Sequence, residues 1–289
     1  MQNQCIQHRE CCRIGRVLKH FNMIKKIHCC WFGSPIPDNV RKQILHWQEL
    51  CPDFEIHVWD DLNVDYSDFE YWRRVYKEKR WGFASDIVSF AKVFEMGGFY
   101  LDCDVLMNKP LIDIPAPHDH LIMGYMYDCA LTGGFFYAPK GHYLIRKILE
   151  YYKDIAPHFY AVNNTIITDC INNNVDDFLL NGRHYTSEKY KLTVFPKEYF
   201  CQPSFFRNKP FCVDQFAGSW KDGSKGFTTS RSAGILQTTR RKLSLLRSLY
   251  RNEFFGVYKK ALLGLKIKRT EHWRSEFNLI GGAVPPPIK

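Results

Sequence analysis

The sequence predicts an α/β domain with a mainly parallel central sheet. Apolar segments of strand length alternate with helix-spaced segments through the first half of the chain. Gly97 and Gly98 separate a helix-spaced segment from the apolar run FYL, which is typical of a helix that stops before a buried strand. Hydrophobic residues make up 45% of the 289 residues, which is enough for a core of domain size.

The predicted elements follow one another in this alternating order. The segment IHCCWFG (27–33) begins as a strand and ends in a Gly-Ser-Pro turn, and the segment at 39–51 has Val40, Trp47 and Cys51 at helical spacing. The remaining strands are expected at 54–59, 98–103, 120–125 and 133–138, and the remaining helices at 65–80, 82–96 and 141–153.

Composition divides the chain into four regions. Residues 1–22 form an N-terminal appendage, because Met23 would be a better start for the fold. The main domain covers 23–238, a basic amphipathic helical tail covers 239–276, and a disordered end covers 277–289. Much of the formal charge of +10 lies after residue 239. The excess of positive charge is therefore a property of the tail and need not be a property of the active site.

The cysteines and the N-terminus predict a cytoplasmic protein. The 11 cysteines are odd in number and scattered, and they show no zinc-site spacing, which argues against a disulfide framework. The N-terminus has no apolar core of a secretory signal. No run approaches the ~20 apolar residues of a membrane-spanning helix.

Two aspartates close the strand expected at 98–103. Asp102 and Asp104 share one face of the strand, and Cys103 faces away. Carboxylates this close repel one another unless a cation lies between them or one keeps its proton. At the end of a parallel strand they lie where such sheets bind ligands, and Mg²⁺ or Mn²⁺ shared with a diphosphate suits them. The alternative for a bare DxD is a solvated strand end, but the buried strand before it favours the metal.

The helix before this strand adds a third acid. Phe83, Ile87, Phe90 and Phe94 form its apolar stripe, with Asp86 near its N-terminal end. An acid there is usually a cap, and Ser85 could cap as well. Capping and ligand binding are compatible roles for Asp86.

The run RWGFASDIVSFAKVFEMGGFYLDCDV (80–105) resembles the signature of glycosyltransferase family 32, whose members include capsule and lipopolysaccharide enzymes. Further similarity lies at 27–33 and 47–60, with thin echoes at 131–142 and 217–220. The resemblance implies a GT-A type, Rossmann-like fold for nucleotide-diphospho-sugar transferases, here with a basic helical C-terminal region.

The resemblance also implies roles by position. Asp102 would contact the ribose and the sugar, Asp104 would bind the metal, and Asp86 would hold the hydroxyls of the donor sugar. Asp214 stands where the family often has histidines and could still serve the cation. The substrate-binding residues implied are Trp31, Phe32 and Gly33 around the base, Ser219 and Trp220 of an SW element that closes on the diphosphate, and Ser85, Ser89, Gly97 and Gly98.

One departure from the family pattern concerns the donor. The family has an arginine three residues after the helix aspartate, and this chain has Ser89. Lys92, one turn further on, could partly replace it, although an ammonium is not a planar guanidinium.

The sequence therefore predicts a metal-dependent retaining glycosyltransferase that uses Mn²⁺ or Mg²⁺. It would move a hexose from a nucleotide-diphosphate sugar, with UDP expected, to a glycan or lipid-linked acceptor in surface polysaccharide synthesis. One alternative is a haloacid-dehalogenase-like phosphotransferase using the DxD, although that superfamily usually carries the motif on its opening strand. Another is a non-catalytic, membrane-associated glycan-binding protein, which the serine at position 89 makes conceivable.

The basic tail has two interpretations. Its leucines and phenylalanines at helical spacing, with arginines and lysines between them, could place it on an anionic membrane, at about 1 kcal/mol for each basic residue. It could equally form helices packed on the main domain. Membrane contact is favoured because acceptors of this class are often lipid-linked, so the protein would be peripheral on the inner face. No nucleic-acid partner is expected, because no binding motif is present.

Three further features have structural as well as functional interpretations. His28 lies within the first strand and is expected to be a buried, hydrogen-bonded core residue. Asn163 and Asn164 could approach an acceptor. Gly133 and Gly134 indicate either a close approach of the backbone to a ligand or a bulge.

Overall fold

The computed structural model describes residues 23–66, 69–127, 129–153, 163–202 and 210–215, together with 239, 243, 259 and 263–266. The predicted appendage, nearly all of the basic tail and the predicted disordered end lie outside the described residues. Ser219 and Trp220 of the SW element lie outside them as well.

Strands and helices alternate through the first half of the chain, as predicted. The strands are β1 (Lys26–Cys30), β2 (Glu55–Trp59), β3 (Gly98–Leu101), β4 (Val105–Met107), β5 (Leu121–Tyr127), β6 (Ala130–Ala138), β7 (Tyr185–Ser187), β8 (Leu192–Phe195) and β9 (Cys212–Asp214). The helices are α1 (Asp38–Leu50), α2 (Glu70–Lys77), α3 (Trp81–Met96), α4 (Tyr143–Lys153), α5 (Asn163–Asn174) and α6 (Lys197–Phe200), and Leu111–Asp113 forms a 3-10 turn. The elements after α4 were not predicted.

A seven-stranded sheet in the order β2-β1-β3-β6-β5-β8-β7 organises the described part of the chain. β1, β2, β3, β5 and β8 run in one direction, while β6 and β7 run the other way. The predicted α/β class with a mainly parallel sheet is confirmed. We call the edge where the five parallel strands end the carboxyl edge, and the edge where they begin the amino edge.

Both faces of the sheet are covered, because its central strands are apolar on both sides. On one face, α3 places Phe83, Ile87 and Phe90 in the core, and the Phe90 ring stacks on Phe136 with centroids 4.7 Å apart. On the other face, α1 buries Trp47, whose Nε1 donates to the backbone oxygen of Val105 at 3.1 Å. Among the described residues, no helix combines the length and apolar character needed to cross a bilayer.

Gly97 and Gly98 form the turn from α3 into β3. Their φ angles are 70° and 111°, which L side chains rarely adopt, and a Cβ on Gly98 would lie 2.7 Å from the backbone oxygen of Lys26. They stand at the amino end of β3, whereas Asp102 follows its carboxyl end. The turn itself accounts for both glycines, and their role in substrate binding stays a prediction.

The prediction for His28 is confirmed. The side chain is fully buried, and Nε2 lies 2.9 Å from the backbone oxygen of Gly97. Nδ1 accepts a hydrogen bond from Nε1 of Trp59 at 3.2 Å. Burial lowers the pKa of His28 to about 4, so the ring is neutral at physiological pH.

Candidate functional site

Asp102 begins a tight turn at the carboxyl edge. Its backbone N–H donates to the oxygen of Gly134 on β6 at 2.9 Å, and its own carbonyl accepts from the N–H of Val105 at 2.9 Å. β3 is buried as far as its last residue, Leu101. The turn then carries Asp102 and Asp104 out of the sheet within three residues of the end of the strand. Both acids remain partly buried.

The carboxyl group of Asp102 lies against the sheet. Tyr100 donates its hydroxyl to Oδ1 at 2.8 Å, and a Cβ on Gly134 would come within 2.9 Å of Oδ2. Burial and the charge of Asp104 raise the pKa of Asp102 to about 7, against the opposing effect of the Tyr100 hydrogen bond. A cation beside Asp102 would favour its ionised form.

Asp86 lies on α3 and faces the same site. Asn163, the first residue of α5, donates Nδ2 to Oδ1 of Asp86 at 2.7 Å. Burial, followed by the charge of Asp102, raises the pKa of Asp86 well above its usual range. Asp86 and Asp102, which are separated by a helix and a strand in the sequence, are therefore electrostatic neighbours in the fold.

The capping interpretation of Asp86 and Ser85 is wrong. The helix begins at Trp81 with Arg80 at its N-cap and no side-chain cap, so both residues lie in the second turn. Ser85 donates its hydroxyl to the backbone oxygen of Trp81 at 2.9 Å. Asp86 is thus free of an N-cap role.

Ser89 and Lys92 are both engaged by neighbouring groups of the protein. Ser89 is fully buried, and its hydroxyl donates to the backbone oxygen of Asp86 at 2.8 Å. Lys92 donates to Glu95 at 3.0 Å and lies over the rings of Trp59 and Tyr66, at 4.6 and 5.2 Å from their centroids. The ammonium that could partly replace the arginine therefore contacts these three side chains.

Gly133 and Gly134 let β6 approach α5 and Asp102. A Cβ on Gly133 would lie 2.3 Å from Nδ2 of Asn163, and its N–H donates to Oδ1 of Asn164 at 2.8 Å. Register shifts also occur where β5 pairs with this part of β6. The register shifts support the bulge interpretation, and the close neighbours seen are side chains of the protein, so the approach of a ligand stays a prediction.

Asp214 reaches the same end of the molecule through a small second sheet. β9 pairs antiparallel with β4 so that Asp214 stands opposite Val105, and the N–H of Gln215 donates to the backbone oxygen of Asp104 at 3.2 Å. The side-chain amide of Gln215 is buried without a hydrogen-bond partner among the described residues. The carboxylate oxygens of Asp102, Asp104 and Asp214 do not all come within 4.8 Å of one another.

The loop after β1 holds the predicted base-binding residues. Gly33 has φ 80° and donates its N–H to Oδ2 of Asp61 at 2.8 Å, and a Cβ there would overlap the ring of Trp81. Phe32 is buried, whereas Trp31 is partly exposed and donates Nε1 to Ser34 at 3.2 Å.

A hollow of about 540 Å³ lies beside this loop. It is lined by Asp61, Leu62, Asn63, Val64, Asp65, Trp72 and Tyr76. Tyr76 connects the hollow to the loop, because its hydroxyl donates to Asp61 at 2.5 Å and its ring meets Phe32 edge-on. The hollow follows β2 in the chain and therefore lies at the carboxyl edge.

A further set of ligand-type side chains lies at the amino edge. Asp119 and His120 directly precede β5, and Glu188 lies in the turn before β8. One ligand atom of each lies within 4.8 Å of the other two. Since β5 and β8 run parallel to β3, this set is separate from the acids that follow β3.

Comparison with known proteins shows what part of this chain is similar to. Residues 37–125 match the model described as "Glycosyltransferase sugar-binding region containing DXD motif". No curated protein matches the chain. One similar solved structure is titled "PaToxG Glycosyltransferase", at 16% identity and a TM-score of 0.45, covering 61% of this chain and 81% of that chain.

A second similar structure is titled "crystal structure of a glycosyltransferase involved in the glycosylation of the major capsid of PBCV-1". It is 11% identical with a TM-score of 0.37, and the match covers 75% of this chain and 98% of that chain. The family match includes Asp86, Asp102 and Asp104. The segment from 37 to 125 is therefore similar to the sugar-binding region of DXD glycosyltransferases, and membership of family 32 stays a prediction.

Proposed function

We propose that the protein is a metal-dependent retaining glycosyltransferase of GT-A type. It would transfer a hexose from a nucleotide-diphosphate sugar, with UDP as the expected nucleotide, to a glycan or lipid-linked acceptor. The observation that carries the proposal is the meeting of Asp86 and Asp102 at the carboxyl edge, beside Asp104 and within the segment that matches DXD glycosyltransferases. Open α/β sheets bind ligands at this edge.

The donor atoms at the site suit a hard divalent cation. Asp104, with help from Asp102, would hold Mn²⁺ or Mg²⁺ through carboxylate oxygens, and Asp214 would have to turn toward the ion to join them. The raised pKa of Asp102 is consistent with this fit, because burial and Asp104 disfavour its negative charge until positive charge arrives. When bound, the cation neutralises charge on the departing diphosphate.

The remaining residues would position the donor. Asp86, held by Asn163, would accept hydrogen bonds from sugar hydroxyls, and the buried amide of Gln215 could bond a phosphate oxygen. Trp31 and the hollow beside Gly33 would receive the base. Ser219 and Trp220 would close on the diphosphate and exclude water, so that an acceptor hydroxyl attacks in preference to hydrolysis. No side chain is assigned as a covalent nucleophile.

The proposal extends to the cellular context. A lipid-linked acceptor would place the reaction at a membrane surface, and the basic tail at 239–276 would bind its anionic lipids from the cytoplasmic side. Surface polysaccharide synthesis is the process that fits this arrangement.

The test is release of nucleoside diphosphate from a panel of nucleotide sugars with Mn²⁺. Asp104→Asn should lower the rate about 10²- to 10³-fold, since it removes charge where the diphosphate departs. Asp119→Asn is the matched control, because it changes an acid at the amino edge, and its rate should equal that of the unchanged protein.

Other results would reject the proposal. Equal rates for Asp104→Asn and Asp119→Asn would show that Asp104 takes no part in the reaction. Phosphate release from small esters would favour the phosphotransferase alternative. Failure to use any nucleotide sugar, with binding to glycans or anionic vesicles retained, would favour the non-catalytic alternative.

A further inference from the structure

The acids at the amino edge surround a buried histidine. Asp119 and His120 end the segment before β5, and Glu188 lies in the turn that joins β7 to β8. The two carboxylates are exposed, whereas His120 is fully buried. Ligand atoms of all three lie within 4.8 Å of one another, which is the separation expected around a single ion.

The imidazole of His120 is oriented from behind. Its Nδ1 lies 2.9 Å from Oγ1 of Thr193, and that hydroxyl lies 3.1 Å from Oγ1 of Thr186. With the proton on Nδ1, Thr193 accepts it and donates onward to Thr186. A hydrogen bond on the far nitrogen is what fixes a ligating histidine in metal sites.

The other ring nitrogen points to the acids without a hydrogen bond. Nε2 of His120 is buried and has no hydrogen-bond partner, and it lies 3.4 Å from Oε2 of Glu188. With the proton on Nδ1, the lone pair of Nε2 faces the carboxylate of Glu188, and a cation between them would stabilise that arrangement. The nitrogen and the carboxylates thus form a donor set of one imidazole and two acids.

Lys191 now provides the positive charge. Its Nζ lies 2.8 Å from Oδ2 of Asp119 and 2.8 Å from Oε2 of Glu188, and it holds the pKa of both acids below the usual range. Its backbone is fixed at φ 45°, with its carbonyl bonded by the N–H of Leu121. The side chain is 43% exposed, so the ammonium can move into water while the backbone stays in place.

We propose that Asp119, His120 and Glu188 form a second cation site, for a transition-metal ion such as Zn²⁺, which competes with the ammonium of Lys191. Imidazole nitrogen is a poor ligand for Mg²⁺ but a good one for Zn²⁺, which accepts three protein ligands and a water. The exposed carboxylates provide an entry path. The ion would join the start of β5 to the β7–β8 turn, so its role is structural and does not depend on sugar transfer.

The test measures zinc binding with the other candidate site disabled. Protein carrying Asp102→Asn and Asp104→Asn is stripped with a chelator and titrated with Zn²⁺ in a calorimeter, and bound zinc is counted by atomic emission. Adding Glu188→Gln should remove one bound ion per chain. The matched control is Glu150→Gln, because Glu150 also pairs with a lysine three residues away at 2.8 Å, and it should retain the ion.

Two further variants test the roles of the residue that orients His120 and of the lysine that competes with the ion. Thr193→Val should weaken zinc binding about 10- to 100-fold, the range for partners behind a ligating histidine. Lys191→Asn should strengthen it, because the competing ammonium is gone and asparagine tolerates the positive φ.

Equal zinc content in the Glu188→Gln and parent proteins, with both folded by circular dichroism, would overturn the site. Equal loss in Glu150→Gln would indicate non-specific surface binding and would overturn it as well. Unchanged affinity in Lys191→Asn would overturn the competition. Since each readout is binding, the outcome is independent of whether the protein transfers sugar.

Discussion

The two edges of the sheet carry the same kind of side chain in opposite electrostatic states. At the carboxyl edge, burial raises the pKa of Asp86 and of Asp102, with the charge of Asp102 adding to the effect at Asp86 and the charge of Asp104 adding to it at Asp102. At the amino edge, Lys191 lowers the pKa of Asp119 and Glu188. At the amino edge an arriving cation would have to displace the ammonium of Lys191, whereas at the carboxyl edge it would meet acids whose negative charge is disfavoured. The two edges therefore differ in what a cation would have to displace in order to bind.

Removing one acid from each edge should change stability in opposite directions. The raised pKa of Asp102 means that folding loses stability as pH rises from about 4 to about 7. With chelator at pH 8, Asp102→Asn should therefore raise the free energy of unfolding by roughly 3 kcal/mol. Asp119→Asn should lower it by less than about 1 kcal/mol, because the pair with Lys191 is exposed.

Urea unfolding at pH 8 and pH 4 measures both effects. At pH 4 the gain from Asp102→Asn should vanish, since the carboxyl group of the unchanged protein is then protonated in the folded state. A loss of stability in Asp102→Asn at pH 8 would contradict the electrostatic difference between the edges.

The next effect concerns the positioning of Asp86. Asn163→Ala removes the donor at 2.7 Å from Asp86 and so raises the pKa of that acid further. The rate of nucleoside diphosphate release should fall about 10- to 100-fold, the scale for misplaced groups near a reaction. The pH profile should also move to higher pH, which a purely structural loss would not produce.

The control for this variant lies on the same helix. Asn174 donates its side chain to the backbone oxygen of Cys170, so Asn174→Ala changes an asparagine of α5 away from Asp86. Equal rates for Asn163→Ala and the unchanged protein would show that Asn163 does not contribute to positioning Asp86.

The smallest effect is expected at Lys92. Because this lysine is held by Glu95, Trp59 and Tyr66, Lys92→Ala should leave the release rate unchanged. A fall as large as that expected for Asn163→Ala would show that the ammonium reaches the donor after all. The assay is the same, with matched protein concentration.

Local pattern was sufficient for the elements that carry the DxD. An apolar stripe predicted α3, a glycine pair predicted its end, and the buried run before Asp102 predicted β3, because each signal lies within a few neighbouring residues. The antiparallel pairing of β6 with β3 was not predicted, because the direction in which a strand joins a sheet depends on contacts between distant segments.

Two features of the candidate sites were not predicted from the sequence, because each depends on contacts between distant segments. The helix that begins at Asn163 is rich in asparagine, a poor helix former, and its contact with Asp86 joins residues 77 apart. The ligands at the amino edge meet through the pairing of β5 with β8, and no motif spacing marks them.

The small sheet of β4 and β9 has a consequence for how the molecule is made. Asp214 leaves the ribosome after every strand of the large sheet, yet it is placed opposite Val105, beside the acids that follow β3. A nascent chain that stops at Tyr125 would already contain Asp86, Asp102 and Asp104 but not this late partner. The proposed ion site would therefore be completed only after all seven strands of the large sheet have been synthesised.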